Sequence, residues 1–184
     1  MKKGFTMIEL IFVIVILGIL ASVAIPRLAR TRADAEISAA IANLRTLQSD
    51  VSAYYVTTGQ FAEDFKTMTN VPIGDILGGG LGYLAGSLKV GADEACIDVA
   101  LMEEDRDEKT GYFQPAVMMI EPNDASTDPI CQAVLATPEI QKYTQNEIYA
   151  TCSPTATAQG NPNCVNGKQS LGNGVLIGSS TSVY

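Results

Sequence analysis

The stretch Met1-Lys2-Lys3-Gly4-Phe5-Thr6-Met7-Ile8-Glu9-Leu10, with the apolar run that continues to Ile25, decides how this chain is read. Two lysines and a glycine precede a span whose only charge is Glu9. From Leu10 to Ile25 every residue is apolar or small, and Ser22 is the single hydroxyl. Counted from Phe5, the run has about 21 residues, the length an α-helix needs to cross a hydrocarbon core of ~30 Å. Length alone fits a membrane anchor and a signal peptide equally well. The position of the small residue separates them. A secretory signal puts its small cleavage-site residues after the apolar core, whereas Gly4 stands before it, directly after Lys3. A cut after Gly4 removes only the basic leader and leaves the whole apolar helix on the mature chain, with Phe5 as its new amino terminus.

Glu9 lies four residues beyond Phe5, on the same face of a helix. A lone acid inside a membrane segment costs on the order of 2.5–3.5 kcal/mol on insertion scales, so its presence implies a function. The cation this region offers at that depth is the freed α-amine of Phe5, from the same chain or from a neighbour.

These residues carry a resemblance. Lys3-Gly4-Phe5-Thr6-Met7-Ile8-Glu9-Leu10, then Val13 to Ala21 and Ala24-Ile25-Pro26, is similar to the amino-terminal segment of type IV pilins and type II secretion pseudopilins. The resemblance is dense over roughly the first 30 residues and architectural beyond them. It implies that a prepilin peptidase cuts after Gly4 and that Phe5 is then N-methylated. Glu9 becomes the acid needed for assembly, and Gly18 and Pro26 the places where the long helix breaks or melts. The implied fold is α+β, a long amino-terminal helix packed on a small antiparallel sheet head. The expected partners are the peptidase, other copies of the chain and related pilins in a helical filament, an inner-membrane assembly platform, and membrane lipid before assembly. The chain would sit in the inner membrane with a periplasmic head, and afterwards in an extracellular pilus or a periplasmic pseudopilus.

The expected organisation is a leader at 1–4, a transmembrane and assembly helix at 5–26, an amphipathic spine at 27–58 and a globular head at 59–184. The chain has 184 residues and a net charge of −8. An acidic surface argues against nucleic acid as a partner, because that binding needs a basic footprint. There is no histidine, which removes Ser-His-Asp and Cys-His catalysis and makes a transition-metal site a poor expectation. No enzyme constellation and no cofactor are expected. Basic residues flank both ends of the span (Lys2 and Lys3; Arg27, Arg30 and Arg32), so the positive-inside rule is nearly tied. Cys96, Cys131, Cys152 and Cys164, an even number without Cys-x-x-Cys spacing, suit disulfides in an oxidising compartment and place the head outside the cytoplasm.

Ile37, Ile41, Leu44, Leu47, Val51 and Tyr54 or Tyr55 recur at helical spacing, a stripe read as core. Gly59 is the expected left-handed cap. From Phe5 to Thr57 the helix would measure about 80 Å. Gln60 to Val90, punctuated by glycines, is expected to be a connecting loop held by Phe61 and Phe65. Its Gly78-Gly79-Gly80-Leu81-Gly82 run lacks the Lys-Ser/Thr of a phosphate loop. Ala95–Leu101 and Tyr112–Ile120 are expected strands around a charged tip at Glu103–Gly111. That tip and the group Asn123, Asp124 and Asp128 invite calcium, but neither has EF-hand spacing, and both are read as solvated turns. Asp128-Pro129 and Thr137-Pro138 begin two short helices. Ile148–Ala150 and Gly174–Ile177 are expected short strands. Four cysteines allow three pairings; loop economy favours Cys96–Cys131 with Cys152–Cys164, which closes the loop Ser153–Asn163.

This carboxy-terminal loop resembles that of many type IV pilins, and major pseudopilins usually carry a calcium loop and lack such cysteines. The expected function is therefore a pilus-like structural subunit. The alternatives are a secretion pseudopilin or a membrane-anchored binding module that never polymerises.

Overall fold

The computed structural model describes residues 6–80, 83–91, 93–107, 112–152 and 167–177. The chain divides into two units, Met1–Glu36 and Ile37–Tyr184. Helix α1, Met7–Thr58, contributes residues to both.

In the second unit the helical stripe is core, as its spacing requires. Ala40, Leu44, Leu47 and Val51 are buried, with Ile37, Ile41, Tyr54 and Tyr55 packed beside them. Each fully buried Leu contributes roughly 1.5–3 kcal/mol relative to exposure. The helix stops at Gly59, whose φ of +78° a side chain would resist and whose N–H donates to the Tyr55 carbonyl at 2.8 Å. Phe61 then stacks against Tyr55 with ring centroids 4.7 Å apart, turning the chain back toward the core.

The segment expected as a loop is instead structured, and this corrects the sequence reading of Gln60–Val90. It contains the one-turn helix α2, Phe65–Met68, and two strands, β1 (Ile73–Gly80) and β2 (Tyr83–Val90). Glycine weakens a strand by itself, but here burial wins. Leu84, Leu88 and Val90 enter the core, and Gly86 is a close-approach position. A Cβ there would meet Ile73 Cγ2 and lie 3.1 Å from the Phe65 ring.

The remaining elements are β3 (Asp93–Met102), β4 (Asp105–Asp107), β5 (Tyr112–Gln114), β6 (Val117–Pro122), α3 (Pro129–Leu135), α4 (Pro138–Thr144), β7 (Glu147–Thr151) and β8 (Lys168–Leu176). The described strands form one eight-stranded sheet in the order β1-β2-β3-β6-β8-β7-β5-β4, and all described pairings are antiparallel.

Two further expectations change. The run Tyr112–Ile120 is not one strand: β5 pairs with β4 and β7, and β6 pairs with β3 and β8. Pro115 separates them, since a residue without an N–H cannot continue the ladder. The charged tip is also partly strand, because Asp105–Asp107 pair with Tyr112–Gln114; residues 108–111 lie outside the described residues.

β8 is longer than Gly174–Ile177 and joins the two halves of the sheet, pairing with β7 over Lys168–Asn173 and with β6 over Gly174–Leu176. Gly174 permits this, since a Cβ there would collide with the Met118 carbonyl oxygen.

Both short helices begin where the Pro grammar puts them. Asp128 Oδ1 accepts the N–H groups of Ile130 at 2.7 Å and Cys131 at 3.1 Å. Thr137 makes no such cap; its hydroxyl donates back to the Val134 carbonyl.

The expected Cys96–Cys131 disulfide is present, fully buried, and ties β3 to α3. Cys152 is also disulfide-bonded. Its expected partner Cys164, and the loop Ser153–Asn163, lie outside the described residues.

On β7 and β8 an exposed cluster links the strands. The Glu147 carboxylate accepts from the Tyr149 hydroxyl at 2.5 Å and from Ser170 Oγ at 2.7 Å. These bonds hold its pKa below the ordinary value of 4.5, the Tyr149 bond contributing most.

Two outcomes follow. Replacing Cys96 and Cys131 together by Ala removes a cross-link over 35 residues and is expected to cost about 4 kcal/mol in the chain-entropy model, read by denaturant melts. Tyr149→Phe is expected to raise the Glu147 midpoint toward 4.5 in a carboxyl NMR titration. Glu147 supports the fold above its ordinary pKa and loses that contribution as pH falls through its depressed one, so the variant has less of this contribution to lose on acidification.

Candidate functional site

The first unit is a helix with nothing buried against it. Met7 is 78% exposed and Leu28 67%, and every large apolar residue from Ile8 to Ile25 is exposed as well. The segment is long and apolar enough to cross a membrane. Contiguous apolar surface on this scale marks a lipid or protein interaction.

Its first turn has a feature that sequence reasoning missed. Thr6 caps α1: its hydroxyl accepts the Glu9 N–H at 3.3 Å, and its carbonyl accepts the Leu10 N–H at 3.2 Å. Thr6 and Glu9 therefore stand in the Thr-x-x-Glu spacing of a capping box, a signal that was available in the sequence. Glu9 lies in the first helical turn and is exposed. An acid at this position also complements the positive end of the helix dipole. Gly4 and Phe5, the expected cleavage and methylation residues, lie outside the described residues.

In this chain α1 runs continuously through Gly18 and Pro26, the expected weak points. Pro26 removes one donor, so the Ser22 carbonyl has no helical partner, but the flanking bonds keep the helix intact. Ser22 Oγ donates to the Ile19 carbonyl at 2.7 Å just above this gap. Nothing lies within 4 Å of a Cβ built on Gly18, so no packing in the monomer demands a glycine there.

The acidic groups that invited calcium have structural occupations. Glu103 Oε1 accepts the Phe61 N–H at 3.1 Å, Asn123 Nδ2 donates to the Ala95 carbonyl at 2.6 Å, and Asp128 caps α3. Burial, and then the nearby Glu104 carboxylate, push the Tyr55 hydroxyl above its ordinary pKa. Among the described residues no group of three or more His, Cys, Asp or Glu is placed to hold a metal.

The described chain thus combines an exposed apolar helix of membrane-crossing length with an amphipathic continuation that packs in the core of an antiparallel-sheet head. Comparison with known proteins narrows this. The family model "Prokaryotic N-terminal methylation motif" matches residues 1–25. The chain is 41% identical over 78 residues to the type IV major pilin protein PilE1 of Neisseria gonorrhoeae, covering 42% of this chain and 36% of that protein. It is 44% identical over 61 residues to a fimbrial protein of Neisseria meningitidis serogroup B, covering 33% and 36% respectively. It is 34% identical over 77 residues to the type II secretion system core protein G of Klebsiella michiganensis, covering 39% and 54%. The chain thus spans 36% to 54% of the length of these relatives. No solved structure matches. Part of the chain is thus similar to type IV pilins and to a type II secretion core protein.

If Gly18 and Pro26 are weak points, replacing them should stiffen the membrane-inserted monomer. Gly18→Ala is expected to slow local amide exchange about 5-fold and Pro26→Ala by about 100-fold, from helix penalties of about 1 and 3 kcal/mol. Unchanged exchange around residues 14–26 would remove both from any role in helix opening.

Proposed function

We propose that the chain is a structural subunit of a type IV pilus-like filament, cut after Gly4 by a prepilin peptidase, methylated on Phe5 and polymerised through its amino-terminal helix. The observation that carries this reading is the unpartnered apolar surface of Met7–Ile25, whose only charge is Glu9. Such a surface needs hydrocarbon before assembly and neighbouring helices after it. In the filament, Glu9 is neutralised by the Phe5 α-ammonium of an adjacent subunit, which fixes the axial register between copies. The gap left by Pro26 and the bare Gly18 make the segment between them the part that unwinds as subunits leave the bilayer. Before assembly the chain sits in the inner membrane with its head in the periplasm, where the disulfides form.

The same helix would serve a pseudopilin of type II secretion, a reading favoured by the match to core protein G. The three disulfide-bonded cysteines of the described head, Cys96, Cys131 and Cys152, support the pilus subunit over it. Neither reading involves catalysis.

Intact mass of the mature chain tests processing: loss of Met1–Gly4 with one added methyl group is expected, and cleavage after Ala21 or Ala24 would sink the proposal. Glu9→Leu is expected to abolish filaments while leaving membrane insertion and the head's melting midpoint unchanged. Normal filaments from that variant would overturn the assembly role of Glu9.

A further inference from the structure

The head carries an apolar trough that the filament reading does not use. It lies on the sheet face opposite Leu84, Leu88, Ile97 and Leu101, the side chains that join the α1 core. Small side chains make its floor, since Ala85 and Ala100 face each other across β2 and β3. Tyr83 and Met102, the next pair along, stand at one end, and Tyr83 is 46% exposed. Met119 continues the floor onto β6, and Leu171 of β8 closes the far side. That wall is near: a Cβ on Gly172 would lie 2.8 Å from Met119 Cε. The cleft measures about 400 Å³, within the range of small-molecule sites.

Its other end is acidic. Asp98 and Glu121 are direct cross-strand partners and both line the cleft. Like charges placed opposite each other on a sheet destabilise it, and no cation among the described residues pairs with either. Asp98 accepts a hydrogen bond from Ser87 Oγ at 2.6 Å. The trough thus offers an aromatic and thioether wall for an apolar body and two carboxylates for a positive head. Cations gain on aromatic faces and beside carboxylates alike.

We propose that this trough binds a small organic cation, an ammonium or guanidinium on a short apolar body, taken free from solution. The site lies wholly in the head, so it stands or falls independently of filament formation.

The test uses the full chain in phosphatidylcholine nanodiscs with ¹³C-methyl methionine, titrated with 2-phenylethylammonium and, separately, with neutral 2-phenylethanol. Saturable shifts are expected at the Met102 and Met119 methyls. Met68 and Met118 in the core stay still, and Met7 reports any partition of the probe into the bilayer. The neutral probe is expected to bind at least 10-fold more weakly. Asp98→Asn with Glu121→Gln should weaken the cation by at least 10-fold without moving the Met68 and Met118 signals. Should that pair of changes disturb the fold, Tyr83→Ala, at an exposed wall, is expected to weaken binding on an intact core. Equal affinity for both probes, shifts confined to Met7, or binding unaltered by all of these variants would overturn the proposal.

Discussion

The head depends on one face of α1. Leu44, Leu47 and Val51 are completely buried, and they share a core with Leu88, Ile97, Leu101, Met118 and Ile120 from three strands. Without the helix those strand residues would form an open apolar sheet surface, and without the sheet the helix would be a polar-and-apolar rod with nothing to hold it. Polar contacts refine this packing rather than create it. Thr69 Oγ1 donates to Asp50 at 2.7 Å and the Tyr143 hydroxyl donates to Gln48 at 3.1 Å, so α1 is tied by hydrogen bonds to α2's exit and to α4. The Cys96–Cys131 disulfide then fixes α3 to β3.

The first unit obeys a different rule. Its apolar residues do not follow a stripe; they cover the helix all round, and all are exposed. A helix of that kind is stable only in hydrocarbon or among other helices. One helix therefore carries two patterns: the run to Ile25 is apolar on every side, and the stripe from Ile37 packs on the chain's own sheet. Glu9 is the exception, and the structure supplies a local part of its explanation. It sits where the backbone N–H groups of the first turn are unpaired and where Thr6 already caps one of them. An acid there complements the positive helix end.

The acidic clusters illustrate how composition misleads. Glu103, Asn123 and Asp128 resemble ligands in a linear string, yet each is bound to a backbone group that a turn or helix start leaves unpaired. A chain with 16 glycines and several short turns has many such groups to satisfy. The carboxylates that face one another without such work, Asp98 and Glu121, are separated by 23 positions and gave no signal in the sequence.

What the sequence by itself determined is whatever is local: the length of α1, its change from all-apolar to striped, the Gly59 stop and the Asp128-Pro129 start. These depend on periodicities and caps within a few residues of one another, and their physics is complete at that range. Tertiary structure decided the rest. It made strands of Ile73–Val90 despite their glycines, because Phe65 and Ile73 needed the space that Gly86 leaves free. It split Tyr112–Ile120 between two halves of the sheet, and it ran β8 across both, because pairing partners 17 to 59 residues away set which backbone groups are satisfied. Strand partnership is a long-range choice among similar apolar runs, and no local pattern encodes it.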